Sequence, residues 1–70
     1  MMPLTLAKQG DANRIAKITG RDEVRQHLAE LGFVVGARVT LLSRMGGNVI
    51  IKVKESRIAL NEGMANRILI

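Results

Sequence analysis

The segment LGFVVGARV, Leu31 to Val39, constrains the fold more than any other stretch of the chain. It closes a short helix on one glycine, breaks again at Gly36 and launches a strand. GGNVIIKVKESRIAL, Gly46 to Leu60, then turns that strand back on itself. A small helix feeding a twisted antiparallel sheet is the grammar of a compact β-barrel, in which closure hides the strand edges.

Asp22 to Leu31 reads as the one convincing helix. Val24, Leu28 and Leu31 fall at i, i+4 and i+7 and share a face. Asp22 and Glu23 sit at its start, where carboxylates favour the helix dipole, and Asp22 is the candidate cap. Gly32 is placed for the C′ position, which commonly needs positive φ. Phe33 follows, placed to fold back on the helix and plug one end of a core.

Alternation then takes over. Arg38 to Ser43 puts Val39 and Leu41 inward and Arg38, Thr40 and Leu42 outward. Arg44 to Gly47 reads as a loop, with Gly46-Gly47-Asn48 supplying hairpin freedom. Asn48 to Lys54 puts Val49, Ile51 and Val53 inward and Ile50, Lys52 and Lys54 outward. A short turn at Glu55-Ser56 precedes a strand with Ile58 and Leu60 inward and Arg57 and Ala59 outward. Asn61 caps a single helical turn through Met64 and Ala65, and Arg67 to Ile70 closes as a last strand. Before the helix, Leu4 and Leu6 stand at strand spacing and Lys8 to Asn13 reads as a turn. Arg14 to Thr19 reads as a strand with a bulge, turning Ala16 and Ile18 inward. The expected architecture is mainly β: a small, partly open barrel with one inserted α-helix and a short C-terminal helical turn.

Seventy residues make one domain, 1–70, whose core is thin, because a chain this short buries only about 60% of its unfolded surface. With no Cys, no Trp, no Tyr and one His, neither disulfides nor a structural metal can supplement that core. Nucleophilic and metal chemistry have little to stand on. Glu23, His27 and Glu30 are close enough on a helix to suggest a surface metal site, but a solvent-facing His27 in weak ion pairs is the simpler reading. Phosphate-loop glycine patterns are absent, and Gly46-Gly47 precedes a strand rather than a helix. Ser43 and Ser56 stand near strand ends, where hydroxyls serve turns. The expectation is therefore no enzyme, no cofactor and no metal.

Eleven basic against six acidic residues give a net charge of +5, which attracts nucleic acid, anionic surfaces or acidic proteins. No strand carries an aromatic residue for base stacking, so nucleic acid is poorly supported. Leu42 and Ile50 are outward apolar residues expected on one face, surrounded by Lys52, Lys54 and Arg57. An apolar patch rimmed by basic residues is a candidate protein-docking surface. The thin core and these apolar residues also leave room for weak self-association. No basic region followed by a long apolar run opens the chain, and no apolar stretch is long enough to span a bilayer. A soluble cytoplasmic protein is expected.

LGFVVGARV, GGNVIIKV, SRIAL and MANRILI, with the start MPLTLAKQGDANRIAKITG, resemble the ferrous iron transport protein A family, FeoA. The resemblance runs through essentially the whole chain in order and spacing. Leu31, Gly32, Phe33 and Gly36 match the family's helix exit. Gly47, Asn48, Arg57, Ala59 and Leu60 match its hairpin and return strand, and Ala65 and Ile68 its closing segment. Gly63 departs from the pattern, at a cost of about 1 kcal/mol against alanine inside a helical turn. The resemblance implies an SH3-like barrel and a small cytoplasmic accessory of FeoB, a membrane permease for ferrous iron with a cytoplasmic GTP-binding domain. Two rival readings are a regulatory domain like those of metal-dependent repressors, and a basic RNA-binding barrel. Direct iron binding finds too few ligands, with a single histidine.

Overall fold

The centre of the fold is the strand that leaves Gly36 and its two returns. A computed structural model describes every residue from Met1 to Ile70. The elements in chain order are β1 (Ala12–Arg14), β2 (Lys17–Ile18), α1 (Asp22–Glu30), β3 (Arg38–Met45), β4 (Asn48–Val53), β5 (Ser56–Asn61), α2 (Glu62–Ala65) and β6 (Ile68–Leu69). Strands β3, β4 and β5 form an antiparallel meander with β1 on its free edge, in the order β1-β3-β4-β5. The second sheet pairs β2 with β6. This is the expected mainly β, partly open SH3-like barrel with its inserted helix and closing helical turn.

The first hairpin is tighter than alternation alone suggests, and the second turns one residue earlier. Met45 pairs with Asn48, so β3 continues through Arg44 and only Gly46-Gly47 turn, not Arg44 to Gly47. Gly46 takes φ +61 at the first turn position. Primed turns of this kind match the right-handed twist of the flanking strands. At the second hairpin Val53 pairs with Ser56, which makes Lys54-Glu55 the turn instead of Glu55-Ser56. Lys54 therefore lies beyond β4 and carries φ 55, the one positive φ outside glycine.

The N-terminal third departs furthest from the expected strands. Leu4–Leu6 is a 3-10 turn. Such a turn superposes residues three apart, so Leu4 and Ala7 are buried while Leu6 is 67% exposed. The chain then changes sheets at one residue. The Ile15 N–H donates to Ala37 O and its carbonyl accepts from the Gly36 N–H, whereas the Ala16 N–H donates to Leu69 O. Ile15 is buried and Ala16 exposed, the reverse of the bulged strand expected there. β6 is held on its other side by Met2, whose N–H and carbonyl both bond Ile70.

α1 ends in a Schellman motif. The Phe33 N–H donates to Leu28 O at 2.9 Å and the Gly32 N–H to Ala29 O at 3.0 Å, with Gly32 at φ +104. Phe33 and Leu28 are both wholly buried, so the glycine turn delivers the one aromatic ring into the core. At the other end the cap position belongs to Arg21, without a side-chain cap. Asp22 is already helical and pairs with Arg25 one turn on, so it is not the cap. The core is thirteen buried apolar residues, with no polar side chain among them.

Asn61 caps α2 as expected, its side chain accepting from the Met64 N–H at 2.8 Å. Asn61→Ala is expected to lower stability by about 1 kcal/mol, the usual worth of a cap, and to loosen Ala65 and β6 behind it. Urea unfolding followed by far-UV circular dichroism measures it.

Candidate functional site: the outer face of the four-stranded sheet

The two-residue turns fix the register, and register decides which side chains leave the core. Thr40 stands between Ala12 on β1 and Lys52 on β4, and Lys52 faces Arg57 on β5. One step along, Arg14 faces Arg38. In the other direction Ser43, Ile50 and Ala59 form a row. Inward neighbours Val39, Leu41, Val49, Ile51, Val53 and Leu60 are buried, so these rows lie on the outer surface.

The face has two halves. The apolar half holds Ile50 and Leu42, both half-buried and neither packed on the core. Leu42 is the extra residue of a β-bulge: Leu41 pairs with Ile51 and Ser43 with Ile50, leaving Leu42 unpaired between them. The basic half carries Arg14, Arg38, Lys52, Lys54 and Arg57, all exposed. Within it a depression of about 320 Å³ is lined by Ala12, Arg38, Thr40, Lys52 and Lys54. None of these cations is in an ion pair; the fold's single ion pair is Arg25 with Asp22 on α1. Arg14 instead donates through Nη1 to Gly36 O at 2.8 Å.

Of the residues singled out from sequence, Lys52 stands at the junction of the halves, beside Ile50 along β4 and opposite Arg57. Lys54 lies at the far rim with Arg38, not around the apolar residues. Leu31, Gly32, Phe33 and Gly36 build the helix exit and the approach to β3, and Gly47 and Asn48 the first hairpin; they position this face without lying on it. Sequence reasoning placed Arg38 and Thr40 outward but did not join them to Arg14, Ala12 and Lys54. The missing link is the β1–β3 pairing, which no local pattern announces.

No group of three or more His, Asp or Glu side chains gathers anywhere in the fold. His27 is exposed on α1, without an ion pair to Glu23 or Glu30. The arrangement is suited to charge-directed binding beside an apolar contact. No helix is long and apolar enough to cross a membrane.

A family model described as the FeoA domain matches residues 2–70. A Methanocaldococcus jannaschii protein with the provisional name Fe(2+) transport protein A is 33% identical over 70 residues, covering 100% of this chain and 85% of its own. The crystal structure of an iron uptake regulatory protein, FeoA, superposes with a TM-score of 0.86 at 34% identity, covering 96% of this chain and 89% of that one. The zinc-bound FeoA of Stenotrophomonas maltophilia, described as a prokaryotic SH3 domain protein, gives 0.85 at 24% identity over 99% and 88%. A manganese-dependent transcriptional repressor gives 0.84 at 20% identity, over 94% of this chain but only 38% of its own, a likeness of fold.

Proposed function

The chain belongs to the FeoA family, and on that premise we propose that it serves ferrous iron transport as a non-enzymatic cytoplasmic accessory, acting as one unit over residues 1–70. Its partner is the cytoplasmic, GTP-binding part of a FeoB-type permease. The match of the family model to residues 2–70 carries this reading. The names of the archaeal relative and of the 34% identical structure agree with it.

Docking is assigned to the outer sheet face, through Leu42 and Ile50, with Lys52 and Arg57 beside them and Lys54 at the far rim. Apolar residues at the centre of an interface supply most of the energy, and charges at its rim govern approach and partner choice. The test is capture of the permease's cytoplasmic part, with and without guanine nucleotide. Replacing Leu42 and Ile50 together by Asp is expected to weaken capture by at least about thirtyfold, the effect of losing a 2 kcal/mol anchor. Leu42 is half-buried at the bulge, so Lys52→Glu with Arg57→Glu provides a second variant on exposed positions. Unchanged capture by both folded variants would remove the docking surface from this face.

The likeness of fold to the manganese-dependent repressor prompts a second reading, an SH3-like regulatory or interaction domain. The two readings part on the same experiment. A regulatory module would ignore the permease in every nucleotide state.

A further inference from the structure

We propose that the basic half of the outer sheet face is a binding site for a phosphate-bearing anion, seated in the depression between Arg38, Lys52 and Lys54. This inference does not depend on the permease reading, because it rests on charge placement within the chain.

The first observation is register. Arg14 faces Arg38 and Lys52 faces Arg57 directly across neighbouring strands. Side chains in such pairs are close neighbours, and like charges there oppose folding. The fold contains two of these pairs on one surface, and none of the four cations is in an ion pair. An anion seated against Arg38 and Lys52, one cation of each pair, offsets that repulsion.

The second observation is shape. The depression, about 320 Å³, lies at the small end of ligand sites. Ala12 leaves room, and Thr40 sits between Arg38, Lys52 and Lys54 with a hydroxyl that has no partner in the fold. A guanidinium fork, ammonium groups and a free hydroxyl are the donors that tetrahedral oxyanions take. No carboxylate lines the space.

The third observation is Lys54. It holds φ 55 at a hairpin turn where glycine or asparagine would sit without strain. A long cation kept in a strained backbone at the rim of a basic depression is the kind of outlier that marks a site. Nucleic acid is the less favoured occupant, since the one aromatic ring is buried and no stacking platform exists.

The experiment is an NMR titration of the whole protein with inorganic pyrophosphate, ionic strength held constant with chloride. Saturable amide shifts are expected at Ala12, Thr40, Lys52 and Lys54. Arg38→Gln and Lys52→Gln should each weaken binding about tenfold, as loss of a charge-assisted bond does. Lys17→Gln, on the other sheet, should not change it. Lys54→Gly should weaken binding while raising or preserving the melting temperature, a separation that a purely structural lysine would not give. Vesicles containing roughly one-third phosphatidylserine distinguish the source of the phosphate. Retention on them that is lost in Arg38→Gln identifies a lipid headgroup at the same site, and pyrophosphate binding without retention identifies a soluble anion. Shifts reproduced by chloride alone, or binding of single-stranded RNA with no saturable pyrophosphate response, would overturn the proposal. Failure of permease capture leaves it standing.

Discussion

Phe33→Ala is expected to leave the protein largely unfolded at room temperature. Phe33 is the only aromatic residue, wholly buried among aliphatic neighbours and larger than any of them. Truncating a buried Phe costs about 3–5 kcal/mol through lost transfer energy and the cavity left behind. A domain of this size rarely has more than about 3–5 kcal/mol in total. The two figures meet, and no disulfide supplements the core. The amide spectrum should lose its dispersion, and the cooperative urea transition should vanish. Phe33→Leu, closer in volume, should cost less than about 1.5 kcal/mol and keep the fold. A Phe33→Ala variant with a urea midpoint near that of the parent would show that the ring is not what fills the barrel.

The dependence on Phe33 was legible in the sequence, because helix, glycine and ring are adjacent in the chain. The same holds for β4 and β5. Val49, Ile51, Val53 and Leu60 alternate with outward residues, so local pattern gives the inward set, though not where either hairpin turns. Legibility fails where structure depends on distant partners or on turns without a compositional sign. Leu41-Leu42-Ser43 carries no glycine or proline to announce a bulge, yet the pairing slips there. Leu4 and Leu6 look like a strand, but Pro3 leads into a 3-10 turn and Leu4 shares its buried side with Ala7. Lys54 completes the alternation of β4 in sequence and turns the corner in space.

The candidate site follows the same division. Its outward residues were readable one strand at a time, as the odd-even pattern gives them. Their assembly was not, because Ala12 and Arg14 reach Thr40 and Arg38 only through a pairing across the whole helix insertion. Net charge alone gave +5 with no location. The sheet gathers five of the eleven basic residues on one surface and separates them from the apolar pair, so one face offers two distinct kinds of contact.

Gly32→Ala is expected to cost about 1–3 kcal/mol, a second large loss, and for backbone reasons rather than crowding. A Cβ on Gly32 would meet Val53 Cγ2 at 3.5 Å, an ordinary contact. The difficulty is φ +104, which L-residues rarely adopt. Relaxing to negative φ would break the bonds from Gly32 to Ala29 and from Phe33 to Leu28, and so withdraw the ring from the core. Gly36 provides the control. It has φ +89 and nothing within 4 Å of a Cβ. Its N–H donates to Ile15 O, and its carbonyl accepts from Arg14. If strain dominates, Gly36→Ala loses a comparable amount despite its open surroundings. If packing dominates, only Gly32→Ala is affected. A 70-residue chain is within reach of chemical synthesis, and D-Ala at Gly32 sharpens the distinction. A D-residue prefers positive φ, so it should recover most of the loss that L-Ala causes. Equal losses from the two enantiomers would place the requirement for glycine in the space around it, not in its backbone.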